Sequence, residues 1–151
     1  MTALVEEVDG YIKTSHDLIG DINVEHVHND IDYYFNMTPK DLDGMDKEAC
    51  VYAQYFILQF SLSLTKKLNK VKWRLAANEK EFTRVIAPVY NNYNSYNGAD
   101  VVRASACLEY PNLKKLDDEI LKLQSLIQEW EFIITKAEKL SAVFRYLSFS
   151  K

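Results

Sequence analysis

Ile57-Leu58-Gln59-Phe60-Ser61-Leu62-Ser63-Leu64-Thr65-Lys66-Lys67-Leu68-Asn69-Lys70-Val71-Lys72-Trp73-Arg74-Leu75 is the stretch that decides the fold. Ile57, Ser61, Leu64, Leu68, Val71 and Leu75 follow one another at alternating steps of four and three. Asn78, Phe82 and Val85 continue the rhythm. That spacing keeps one stripe of a helix facing a partner helix, as in a coiled coil. No Gly or Pro occurs between Met45 and Ala87. A helix of about 40 residues rising 1.5 Å per residue is roughly 60 Å long. Pro88 is expected to end or kink it.

A second pattern of the same kind begins at Leu113 and runs to the end. Leu113, Leu116, Ile120, Leu123, Ile127, Trp130, Ile134, Ala137, Ser141 and Phe144 form its seam. Leu126, Ile133, Leu140 and Leu147 form a further column, seven residues apart. Two helices packed as a hairpin bury a stripe two columns wide. The third column therefore predicts a further partner: the amino-terminal helices of this chain, another subunit, or both. Leu126, Trp130, Ile133, Leu140, Phe144 and Leu147 are the residues expected to carry self-association.

The expected fold is all-α. It is a long antiparallel, coiled-coil-like hairpin with an acidic helical amino-terminal segment, oligomerising through the carboxy-terminal helix. With 151 residues one domain suffices. Its parts are the acidic segment 1–45, a first long basic helix 46–87, a Tyr/Asn-rich connector 88–112 and a second long helix 113–151. Four Gly and three Pro are too few for many short strands. Residues 1–22 read as an amphipathic helix through Leu4, Val5, Val8, Tyr11, Ile12, Leu18 and Ile19. A short helix through Val24, Val27, Ile31, Tyr34 and Phe35 is expected next. Thr38 is placed to cap another, with Pro39 at its first position and Asp41 and Asp43 close behind. In the connector a short helix is expected around Asp100 to Leu108.

Charge is divided along the chain. Residues 1–50 hold twelve acidic residues against three basic, a net −9; the remainder holds fifteen basic against ten acidic, a net +5. Such asymmetry points to a polyanionic partner for the basic part. Lys66, Lys67, Lys70, Lys72, Arg74, Lys80 and Arg84 fall within 19 positions, against Glu79 and Glu81 alone. If Leu68 and Val71 are seam positions, these bases lie on the outer and flanking arcs. Cations in a line along a helix displace the counterions condensed on a phosphate backbone. A solvated coiled-coil face usually alternates sign, and this one does not between 66 and 74. The connector adds Tyr90, Tyr93 and Tyr96 beside short polar residues, ending at Gly98. Bases stack on such rings with little regard to sequence.

Other chemistries find little support. Glu25-His26-Val27-His28 has no convincing metal-ligand spacing, and His16 is isolated. Cys50 and Cys107 have no CxxC spacing and no histidine near in sequence, so they read as packed residues rather than nucleophiles. There is no phosphate-binding Gly motif. The expectation is a non-enzyme without cofactor or metal. No basic patch leads an apolar run at the amino terminus, and the longest apolar stretch, Tyr55 to Leu64, is far short of a membrane span. A cytoplasmic protein without a membrane partner is expected.

The order of an acidic amphipathic start, a basic helix, a Tyr-x-Gly turn and a carboxy-terminal helix resembles the UvsY-type recombination mediators of tailed phages. The likeness is best in Leu116-Asp117-Asp118-Glu119-Ile120-Leu121-Lys122-Leu123, followed by Leu126 to Trp130. Ile31 to Asp43, followed by Ala49, Tyr52 and Tyr55, is similar to that family's lead-in to its first long helix. The likeness covers roughly residues 20–147. It implies a helical, ring-forming homo-oligomer that binds single-stranded DNA, contacts a RecA-like recombinase and a single-strand-binding protein, and helps load the recombinase, in a host cytoplasm if phage-encoded. The family's DNA element is a Lys-x-Arg pair shortly before a Tyr-Tyr-x-Gly turn. Here Tyr96-Asn97-Gly98 fits the turn's end, but Ser95 precedes it. The Lys-x-Arg is absent at the usual distance. Lys80 and Arg84 are the nearest bases, across an insertion containing Pro88. The alternative is a helical protein–protein adaptor, inhibitor or assembly factor that uses its wide apolar seam and acidic segment and binds no nucleic acid.

Overall fold

The computed structural model describes residues 31–90 and 98–151. About 91% of these are helical and none is in a strand, so the all-α expectation stands. The expected helix at 1–22, together with Val24, Val27, the three histidines, Tyr93 and Tyr96, lies outside the described residues. Five helices follow in order: α1 (Asp32–Phe35), α2 (Pro39–Asp43), α3 (Lys47–Tyr90), α4 (Ala99–Glu109) and α5 (Pro111–Ser150).

Local chemistry sets the boundaries. Thr38 caps α2 through a reciprocal box: its hydroxyl accepts from the Asp41 N–H, while the Asp41 carboxylate accepts from the Thr38 N–H at 2.9 Å. These bonds hold the Asp41 carboxyl below its ordinary range, the backbone bond contributing most. Asp46 starts α3 by accepting the Ala49 N–H at 2.8 Å. Pro88 lies inside α3, which runs on to Tyr90 rather than stopping at residue 87. A proline this close to a helix end removes one backbone bond and leaves no further turns to misalign. α5 begins at Pro111, two residues before the expected Leu113. A fixed φ and a missing N–H suit the first helical position.

The chain packs as two units. The first takes its described residues from 70–90 of α3, all of α4 and 111–126 of α5. Its core joins Phe82, Val85, Ile86, Ala106, Leu113, Leu116 and Ile120, with Leu75, Cys107 and Tyr110 half-buried against it. Arg103 of α4 ties the three helices together. Its guanidinium lies 4.0 Å from the centre of the Phe82 ring, and its Nε donates to Asp117 Oδ1 at 2.9 Å.

The second unit takes 31–69 and 127–151. Ile31, Cys50, Ala53, Ile57, Ala137 and Phe144 are its buried centre. Tyr34 sits between two aromatics, 5.4 Å from Phe56 and edge-on to Phe144 at 5.7 Å. Burial, aided by the neighbouring Tyr52 and Tyr33, pushes the Tyr34 phenol up. Leu140 and Leu147 of the third column pack here with Phe35, Met37 and Met45. Thus residues between 31 and 45 of the same chain cover part of that column. The Lys151 ammonium donates to the carbonyls of Leu42, at 2.8 Å, and Met45.

The seam positions of the first long helix are buried as the spacing predicts, from Ile57 through Val85, with Leu75 half-buried. On α5 the seam is buried apart from the half-buried Ile127 and Ile134. Asn78 occupies its seam position at 1% exposure.

Candidate nucleic-acid interface

The basic residues of α3 separate by side-chain chemistry. Lys66 and Lys67 in the second unit, and Lys70, Lys72 and Lys80 in the first, are exposed. Lys66, Lys67, Lys70 and Lys80 have no carboxylate within 4 Å among the described residues. Helical geometry explains this: the positions three and four away from Lys70 are Lys66, Lys67, Trp73 and Arg74, and those around Lys80 are Ala76, Ala77, Thr83 and Arg84. No acid stands where an ion pair would form.

The arginines point elsewhere. Arg84 binds Glu81 one turn before it, with Nη2 to Oε1 at 2.6 Å and Nε to Oε2 at 3.1 Å. Arg74 is 4% exposed and paired with Glu119 of α5. It therefore does not stand on the outer arc, where the seam spacing puts it. A guanidinium enters an interior when a carboxylate meets it there. That carboxylate lies 45 residues away in sequence, invisible to a reading of one helix. Glu79 is occupied by the Gln124 side-chain amide, which donates to it at 3.2 Å.

Trp73, which the sequence reading passed over, stands 58% exposed among these lysines. Its signal was present: it sits two residues from both Val71 and Leu75, hence on the arc opposite the seam. Of the connector residues, Tyr90 is 40% exposed at the end of α3. Gly98 is the residue before α4, with φ −66° and ψ 160°. A Cβ there would meet nothing within 4 Å, so neither backbone nor space requires glycine.

The residues expected to carry self-association divide. Trp130, Ile133 and Phe144 are buried within the chain, while Leu126, Leu140 and Leu147 are half-buried. The outward apolar side chains of α5 are instead Leu121, Phe132, Val143, Tyr146 and Phe149.

Both cysteines are free. Cys50 is buried. Partial burial, with the nearby Asp117 charge, pushes the Cys107 thiol up, away from the thiolate a nucleophile needs. Among the described residues no cluster of three His, Cys, Asp or Glu side chains is arranged to hold a metal, and no helix is long and apolar enough to cross a membrane. An open depression lined by Asp32, Tyr33, Asn36, Lys40 and Asp41 collects both charge signs and no convergent catalytic groups. No family model, no curated protein and no solved structure matches the chain.

Proposed function

We propose that this protein binds single-stranded nucleic acid through the outer face of α3, without catalysis, as a recombination mediator that helps load a RecA-like recombinase onto single-stranded DNA. One observation carries the reading: Lys66, Lys67, Lys70 and Lys80 of α3 are exposed with no carboxylate within 4 Å among the described residues, while its arginines are engaged by carboxylates. A compact ammonium on a flexible stem reaches a phosphate as a point charge. Four such contacts to a single strand give a log–log salt slope of about −3.

The mediator role, the recombinase and the single-strand-binding protein come from the resemblance to the UvsY-type family. In this reading α3 and α5 are the arms of an antiparallel coiled-coil-like hairpin, supported by the 3–4 rhythm of their buried residues. Self-association, drawing on the outward apolar side chains of α5, multiplies weak contacts by avidity. The acidic residues 1–50 contact a partner or compete for the basic face.

Fluorescence anisotropy of labelled oligo-dT at two salt concentrations, with duplex of equal length alongside, tests this function. Binding that favours the single strand and weakens steeply with salt is expected. Replacing Lys66, Lys67 and Lys70 by Ala flattens the slope by about two. A folded protein that binds neither strand form at low salt ends the reading in favour of the protein adaptor.

A further inference from the structure

We infer that Trp73 is a base-stacking residue of this chain, holding an unpaired nucleobase against its indole while Lys70 and Lys80 hold the flanking phosphates. The inference rests on the nucleic-acid reading and adds a ligand-contacting residue to it.

Exposure is the first ground. An indole left in water forgoes the gain that burying its large apolar surface would bring. The chain's other tryptophan, Trp130, is fully buried. Trp73 lies in the same unit as a core that takes in Phe82, Leu113 and Leu116, yet it faces outward at 58% exposure.

Its neighbours give the second ground. On a helix the residues sharing a face with position 73 lie at spacings of three, four and seven. Within the first unit these are Lys70, Ala76, Ala77 and Lys80. Helical side chains lean toward the amino-terminal end. Lys80 therefore leans back over Ala76 and Ala77, and Trp73 leans toward Lys70. The two alanines are the smallest residues that keep a helix regular, and they leave a gap beside the indole. From Trp73 to Lys80 the helix rises about 10 Å, with nothing bulkier than a methyl group between them on that face. A flat ring fits beside an indole there, with an ammonium on either side.

Charge selects the occupant. An apolar protein partner has no use for unpaired lysines on both sides of its anchor. A polyanion of flat bases uses both features, the ring for stacking and the ammonium groups for phosphate. A duplex keeps its bases stacked inside and offers Trp73 nothing, so the site favours single strands.

The two tryptophans supply the test. In the full chain Trp73 emits at long wavelength and is quenched by acrylamide, whereas buried Trp130 emits at short wavelength and is protected. Titration with oligo-dT at low salt is expected to quench the long-wavelength component and shield it from acrylamide. Trp73→Ala raises the Kd about 5- to 150-fold with the salt slope unchanged. Trp73→Phe keeps most of the affinity, and its remaining emission does not respond to DNA. Because Trp73 is exposed, circular dichroism should show both variants folded as the parent.

Wild-type binding with a normal salt slope, alongside unchanged Trp73 emission and an unaltered Kd for Trp73→Ala, overturns the stacking role and leaves the lysine face standing. Absence of binding in the wild type overturns both. Trp73 emission already shielded in the DNA-free protein, and released on dilution, places Trp73 in a protein contact and overturns the inference in favour of a second copy.

Discussion

The two units of this chain share the long helices α3 and α5, yet they bury different chemistry. The unit containing 31–69 and 127–151 is held by rings and aliphatics: Ile31, Tyr34, Phe56, Ile57 and Phe144 converge without a buried charge among them. The unit containing 70–126 adds polar machinery to its apolar core. Arg74 meets Glu119 inside, Asn78 is buried, and Arg103 bridges Phe82 and Asp117. Apolar packing is tolerant of shape and weak in direction. Buried charge pairs and amides are intolerant, because each leaves a large penalty when its partner is missing. A uniform seven-residue rhythm can thus run through one helix whose two halves are specified by unlike forces.

The contrast breaks first at Phe144. Phe144→Ala in the aromatic unit should cost about 3–5 kcal/mol, read as a fall in the urea midpoint. A loss under 1 kcal/mol would mean that the aromatic centre is not what holds that unit.

Arg74 gives the next largest effect. Arg74→Ala leaves Glu119 without its guanidinium and should cost about 1.5–3 kcal/mol, whereas Arg74→Met combined with Glu119→Leu should come close to the parent. If the double variant is as unstable as the single one, the pair contributes by shape rather than by charge.

Replacing Asn78 should act in the opposite direction. Neither its carbonyl oxygen nor its amide nitrogen has a partner among the described residues, so Asn78→Leu should stabilise the chain by roughly 1–2 kcal/mol. A buried Asn in a seam commonly fixes register at the expense of stability. Analytical ultracentrifugation of the stabilised variant would then show a broader range of assembly states than the parent. A destabilised Asn78→Leu instead identifies a hydrogen-bond partner for the amide.

The smallest effect belongs to the cap. Thr38→Ala should cost about 1 kcal/mol. Its pH dependence has a definite sign. The folded Asp41 carboxyl lies below its ordinary value of 3.8, so its contribution is full above that pH and is lost as pH falls toward the lower folded value. Thr38→Ala keeps the residue-38 N–H that contributes most to this shift, so parent and variant should both lose stability through this range, the gap between their thermal melts narrowing only slightly below about pH 4. A gap that closes completely would show that the hydroxyl, not the backbone bond, holds the carboxylate.

The seam from Ile57 to Val85 was legible because helical burial repeats locally, and each residue reports its own face through its spacing. The cap at Thr38 and Asp41 was legible for the same reason: both partners lie within three residues. What escaped the sequence depends on contacts between distant segments. Arg74 looks like one more outward base until Glu119 is set beside it. The third column of α5 announced a partner without naming it; Ile31, Tyr34 and Phe35 supply part of it, a separation of about a hundred residues. The candidate site was half legible. Its lysines could be placed from spacing alone, whereas Trp73 was hidden by familiarity, since a large apolar residue inside a helical repeat reads as core until its register is checked.

The division of labour between guanidinium and ammonium on α3 has a practical consequence. Amine-selective reagents acylate lysine and ignore arginine, so mild acetylation would strip positive charge from the outer face while leaving the Arg74–Glu119 and Arg84–Glu81 pairs intact. If the outer face of α3 binds nucleic acid as proposed, acetylation should abolish that binding on the folded protein, without a mutation and without touching the two arginine–carboxylate pairs.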